Sequence, residues 1–199
     1  MKITKSLTHS IILLTLSTNS MAQALKNNDV APALEVTSVQ GMPLDLNDYQ
    51  GKTVLLSFFR FAGCPVCNMR MHELMKNQAA LQAKGVEVIA VFESSGETLA
   101  EYLKDASIPF PLVSDTSLAL YRRYGADEKS LIKMIRTMTK QQAKADMKIG
   151  ETLYQGKTYP KDGSMTRIPA DFLIENGSIK RAYYGRYIGD HIPLQELLQ

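Results

Sequence analysis

The chain has 199 residues, 45% of them apolar and 22% charged, with two cysteines and no tryptophan. These proportions exclude collagen-like, coiled-coil and intrinsically disordered classes, and the length suits one core of ordinary size. A formal charge of +3 is too slight to argue for nucleic-acid binding, and Lys2 and Lys5 lie in a segment expected to be removed.

That segment, residues 1–24, reads as a secretory signal peptide. Lys2 and Lys5 open it, an apolar run through Ile11, Ile12, Leu13 and Leu14 follows, and small residues lead to cleavage after Ala22 or Ala24. The run is far shorter than the ~20 residues of a spanning helix and is interrupted by Thr8, His9, Ser10 and Thr15. The expected mature domain is therefore 25–199, exported, with the periplasm as its compartment.

Residues 34–39 with the turn at Gly41 suggest a hairpin. Residues 53–59 form a short β-branched and aromatic run suited to a buried strand. Cys64-Pro65-Val66-Cys67 follows, and then residues 68–83 run without Gly or Pro, with Met71, Leu74, Met75 and Leu81 near helical spacing. Pro65 fits the first helical turn, where its missing N–H costs nothing. Cys64 then lies at the helix N-terminus, where free amides and the dipole favour a thiolate, while Cys67 sits inside the first turn. The order assigns attack to Cys64 and resolution to Cys67. A structural disulfide is the poorer explanation, because closing so short a loop removes little chain entropy.

Further along, residues 86–92 read as a second buried strand and 97–105 as a helix, with Ser94 and Glu97 as a capping box. Pro109 and Pro111 reduce 108–113 to a turn and an edge strand. A helix over 117–124 stops at Gly125. Residues 129–148 place Leu131, Met134, Ile135 and Met138 on one helical face and Lys129, Lys133, Arg136, Lys140, Lys144 and Lys148 on another. Such a basic stripe is a solvated face, or the route by which the chain meets a membrane surface or an acidic partner. Asn176-Gly177 between 172–174 and 179–184 is a hairpin signal. Alternating elements, a dithiol after a strand and a closing hairpin define an α/β sandwich with a mixed central sheet.

Two sets of residues carry a resemblance. Gly63-Cys64-Pro65-Val66-Cys67, followed much later by Arg167-Ile168-Pro169-Ala170-Asp171-Phe172-Leu173-Ile174, resembles the two halves of a thioredoxin-fold active site. Val88-Ile89-Ala90-Val91, Phe110-Pro111-Leu112-Val113-Ser114-Asp115 and Tyr124-Gly125 resemble the alkyl hydroperoxide reductase and thiol-specific antioxidant family, the peroxiredoxins and their relatives. The resemblance spans about residues 31 to 184 and implies a thioredoxin-like sandwich with a helical insertion, about 128 to 166, before the cis-proline strand. It implies a redox-active dithiol needing no cofactor and no metal. It also puts Pro169 at the cis-proline position, offering the Ile168 backbone to an extended substrate.

Peroxiredoxins carry Pro-x-x-x-Thr/Ser-x-x-Cys, yet the positions three and seven before Cys64 hold Phe61 and Ser57, and those before Cys67 hold Cys64 and Arg60. Where that family has an arginine three residues before the Phe of the strand, this chain has Pro169, with Arg167 two positions upstream. Arg60 and Arg167 are the candidate thiolate supports, and Glu93 is a candidate proton shuttle for Cys67. These departures favour thiol–disulfide exchange with a protein or small-molecule disulfide or thiol and a redox partner; a thiol-dependent peroxidase is the alternative. A copper-binding chaperone is the rival from another class, with Met69, Met71, Met75, His72 and His191 as soft or imidazole ligands beside the cysteines. Met71 and Met75 share a helix face and more simply fill core. Tyr154, Tyr159, Tyr183, Tyr184 and Tyr187 could line a groove beside the site.

Overall fold

The computed structural model describes residues 24–153 and 157–199. Apart from Ala24, the expected signal peptide lies outside these residues, as does Tyr154. A small hairpin, β1 (Glu35–Thr37) with β2 (Pro43–Asp45), precedes a five-stranded mixed sheet. That sheet comprises β3 (Thr53–Phe58), β4 (Val86–Phe92), β5 (Leu112–Ser114), β6 (Ala170–Glu175) and β7 (Ser178–Tyr184), in the order β5-β4-β3-β6-β7. Strand β3 runs parallel to β4 and antiparallel to β6, so the dithiol strand lies at the centre. The order and mixture are thioredoxin-like.

Alternation along β3 divides the core. Leu55 and Phe59 pack under α1 (Pro65–Lys76) and α2 (Gln78–Ala83), whereas Val54, Leu56 and Phe58 face the opposite layer with Tyr121, Tyr124 and Phe172. Period-two projection from a strand buried on both faces explains the unbroken apolar run. Helices α3 (Gly96–Asp105) and α4 (Ala119–Arg123) fill the connections around β5. Asp115 ends β5's continuation by accepting the amides of Ala119, Leu120 and Tyr121 at the start of α4. Asn176 (φ 48°) and Gly177 (φ 74°) both adopt the left-handed region, as the two-residue turn from β6 to β7 demands.

Several boundaries differ from expectation. The single helix over 68–83 is broken at Asn77 (φ −106°, ψ 12°), whose side-chain amide donates to Glu73 O and ends α1. The cap of α3 is Ser95, which accepts the Thr98 amide at 3.1 Å; Ser94 instead accepts the Ala62 amide and donates to Asp162. The basic helix over 129–148 is two helices, α5 (Leu131–Thr139) and α6 (Gln141–Leu153), separated at Lys140, whose ψ of 122° is extended. A short α7 (Leu194–Leu197) closes the chain. No helix among the described residues is long and apolar enough to cross a membrane.

The insertion is tied off at its base: Lys129 pairs with Arg167, Ser130 N donates to Thr166 O, and Ile168 N donates to Glu128 O. From there α6 lies along α1. Gly150 makes this possible, because a Cβ at that position would overlap the Pro65 carbonyl.

Candidate active site

The loop between β3 and α1 is held before the cysteines arrive. Glu93 N donates to Arg60 O, Ala62 N to Ser94 Oγ, and Cys64 N to Phe61 O, so the end of β4 fixes the approach to the helix. Cys64 caps α1 from an extended conformation (φ −83°, ψ 115°), and Pro65 is the first helical residue. Its Sγ accepts the Cys67 amide at 3.3 Å, satisfying one of the donors that a helix start leaves open. Both cysteines are free thiols and buried, Cys64 at 1% exposure.

The environment separates the two sulfurs. Burial pushes the Cys64 thiol up, but a hydrogen bond from the Cys67 thiol, the charge of Arg60 and the amides of Cys67 and Val66 outweigh it, bringing the value from 9.0 to about 7. Cys67 moves the other way: burial, donation of its proton to Cys64 and the neighbouring negative charge hold it well above its ordinary value. One sulfur is poised to attack at neutral pH, and the other stays protonated until the first has reacted.

The remaining sequence candidates occupy distinct places. Arg60 has its guanidinium carbon 5.0 Å from the Phe61 ring centroid and donates through Nη2 to Met165 Sδ at 3.9 Å. Its Nε is buried without a hydrogen-bond partner among the described residues. Arg167 is turned to other work: Nε and Nη2 donate to Glu93 at 2.9 and 3.2 Å, Nη1 donates to Asp127 O, and the group lies over Tyr121. Glu93 is thereby committed as well, since its Oε2 also accepts the Ser164 amide. An ion pair that braces the end of the insertion, rather than thiolate support from Arg167 or a relay from Glu93 to Cys67, is what these two residues form.

Pro169 departs from the expected geometry. No peptide bond among the described residues is cis, so Ile168-Pro169 is trans. The segment is held in place as Ile168 N donates to Glu128 O and Pro169 O accepts the Gly185 amide. The Ile168 amide is thus spent within the chain rather than free to pair with a substrate.

Phe61, three residues before Cys64, is buried and lines a cavity of about 410 Å³ beside Cys64. Four of the chain's ten methionines, Met134, Met138, Met147 and Met165, line it too, all from the insertion. Sequence periodicity placed Met134 and Met138 on an apolar stripe but offered no reason to join them to Met147 and Met165. Met71 is fully buried and Met75 partly so, both in the core under α1, whereas His72 is exposed. His191 is buried against Asp171, and among the described residues no three of His, Cys, Asp and Glu converge as a metal site. Of the described tyrosines, Tyr159 donates to Asp105 and lines a cavity with Gly63 and Pro65, whereas Tyr183 donates to Asp190 and Tyr184 to Tyr124 O.

A second buried cluster went unseen in the sequence. Asp171 accepts Ser57 Oγ at 2.5 Å, His191 Nδ1 at 2.9 Å and the Ile192 amide at 2.7 Å, and Arg70 donates to Ile192 O. Despite burial, the His191 charge and hydrogen bond, with Arg70 and Ser57, hold the Asp171 carboxyl at about 2. The cluster fastens the loop before α7 beneath α1; its members come from β3, α1, β6 and the C-terminal loop, so no local motif announces it.

A thioredoxin-like sheet with a cysteine capping the helix and a second thiol three residues on is the site of a thiol-based oxidoreductase. The chain belongs to the AhpC/TSA family, which it matches over residues 28–182. It is 29% identical to peroxiredoxin Bcp of Escherichia coli K12 over 109 residues, covering 54% of this chain and 70% of the relative. Peroxidoxin BcpB of Mycobacterium tuberculosis superposes with a TM-score of 0.62 at 15% identity, covering 87% of this chain and 94% of its own. Peroxiredoxin Q of Xanthomonas campestris superposes with a TM-score of 0.55 at 16% identity, covering 76% of this chain and 79% of its own.

Proposed function

We propose that the protein is an exported thiol–disulfide oxidoreductase in which Cys64 attacks and Cys67 resolves. The carrying observation is the paired environment: a thiolate stabilised at the start of α1, with the Cys67 thiol already hydrogen-bonded to it. The Cys64 thiolate displaces one sulfur of a substrate disulfide, forming a mixed disulfide and releasing a substrate thiol. Cys67 then gives up its proton and displaces the second substrate sulfur, leaving Cys64–Cys67 oxidised and two electrons on the substrate. Run in reverse, the same pair oxidises a dithiol. Neither position three residues before a cysteine, Phe61 or Cys64, carries the family's hydroxyl, and that supports exchange over peroxide reduction.

Peroxide reduction is the second reading. Its support is the peroxiredoxin relatives and the unpartnered Arg60 Nε beside Cys64. Pre-steady-state oxidation of the reduced protein by hydrogen peroxide, measured beside its exchange rate with a small disulfide, separates the two. A peroxide rate no higher than that of an ordinary thiol, with rapid exchange, is expected; a far higher peroxide rate reverses the order. Export is supported by the pattern of residues 1–24, and is tested by fractionating cells and sequencing the mature N-terminus, expected at Gln23 or Leu25.

A further inference from the structure

The cavity beside Cys64 is the strongest unexplained feature. At about 410 Å³ it falls within the ~300–1,000 Å³ of small-molecule sites. Its walls are mainly apolar, and four of the lining residues are methionines, a side chain whose unbranched, polarisable form adapts to aliphatic groups. Met134 and Met147 are partly buried against the core, and Met138 and Met165 stand half exposed at the mouth. Two cations enter the same cavity: Lys161, and Arg60, which is only 6% exposed and whose Nε has no hydrogen-bond partner among the described residues. Burying a guanidinium N–H without an acceptor is unfavourable, a cost that an oxygen on a bound ligand removes.

Access for a folded polypeptide is poor. Cys64 is 1% exposed, Ile168 is 2% exposed, and the Ile168 amide that an extended chain would use is held by Glu128 O. The insertion sits directly over the cysteine loop, with Gly150 against Pro65 and Gly63 so close to Tyr159 that a Cβ there would lie 2.8 Å from its carbonyl oxygen.

Building on the exchange reading, we infer that the substrate of Cys64 is a small disulfide with an aliphatic body and an anionic or hydrogen-bond-accepting group a few bonds from its sulfurs. The aliphatic part lies among the methionines, the acceptor meets Arg60 and Lys161, and the disulfide is presented to Cys64. The electron balance is that of exchange: Cys64–Cys67 forms, the substrate S–S bond breaks, and the two released thiolates take up the protons.

The test oxidises the reduced protein with three disulfides, each rate normalised to that disulfide's reaction with dithiothreitol: 4,4′-dithiodibutyrate, 2-hydroxyethyl disulfide and insulin. The expected result is a normalised rate at least tenfold higher for dithiodibutyrate than for 2-hydroxyethyl disulfide, with insulin slowest. In Met138→Asp, and separately in Met165→Ser, that preference should fall severalfold, while Met42→Asp, on the distant hairpin, should keep it. Circular dichroism confirms that each variant is folded, and the rim position of both methionines provides one usable variant if the other is not. Equal normalised rates, a preference untouched by both rim variants, or insulin reacting as fast as dithiodibutyrate overturns the inference while leaving exchange standing. Failure of every disulfide to outpace a free thiol removes the exchange reading itself, and this inference with it.

Discussion

Replacing Arg60 with glutamine removes the one positive charge that lowers the Cys64 thiol, while leaving the Cys67 thiol and the two amides in place. The ceiling of the effect follows from the ionisation. At about 7, half of the thiol is ionised at pH 7; returned to its ordinary 9.0, about 1% would be, a loss of about fiftyfold in thiolate. A more basic sulfur attacks faster, with a Brønsted slope of about 0.4–0.5, which recovers about six- to tenfold over that interval. The net ceiling is a drop of about five- to eightfold in exchange rate at pH 7, and the other donors keep the observed drop below it. The diagnostic feature is the crossing. Near pH 10 both forms are fully ionised, so the variant should match or exceed the wild type. The assay is the pH–rate profile for 2-hydroxyethyl disulfide, neutral at every pH, from pH 5 to 10. A constant ratio between the two proteins across that range refutes the argument, because it would mean that Arg60 acts on the substrate or the fold rather than on the ionisation of Cys64.

Cys64→Ser should abolish exchange and Cys67→Ser should accumulate mixed disulfides, detected by intact-mass spectrometry; the reverse pattern would exchange their roles. Gly150→Val should force α6 off the Pro65 carbonyl and cost about 1–3 kcal/mol by overpacking, read as a lower Tm with faster hydrogen exchange confined to α5 and α6. An unchanged Tm would mean that the helices do not press on the cysteine loop as described. Asp171 holds its proton less tightly when folded, at about 2 against 3.8, so its contribution of about 2 kcal/mol is present above pH 4 and fades as pH falls towards 2. Asp171→Asn should therefore be destabilised at pH 7, with the difference shrinking at pH 2 to 3 in urea titrations; a pH-independent difference would contradict the lowered Asp171 carboxyl.

How much of this was legible beforehand depends on the range of the forces involved. Strands β3 and β4, the Asn176-Gly177 turn and the Cys64-Pro65 helix start were readable because each is set by residues adjacent in sequence. Local capping was read one residue out, at Ser94 instead of Ser95, because Ser94 is drawn away by Ala62 and Asp162, partners 32 and 68 residues distant. The roles of Arg167 and Glu93 failed for the same reason: a strand-end carboxylate and an arginine 74 positions later neutralise one another in the interior, and neither segment advertises the other. The break at Lys140 escaped notice because the amphipathic period runs on across it. Only the folded chain shows that Leu131, Ile132 and Ile135 remain in solvent while Met134 turns inward.

Pro65 and Val66, the dipeptide between the two cysteines, open the first turn of α1. The dipeptide is gripped from both sides: Gly150 rests on the backbone of Pro65, and Gly189 approaches Val66 so closely that any side chain at 189 would strike it. Grafting another active-site dipeptide into this scaffold would therefore disturb the C-terminal loop and α6 together. The backbone path at residue 65 and the side chain at residue 66 are coupled to two glycines, 85 and 123 positions further along, and the tetrapeptide cannot be exchanged as an independent cassette.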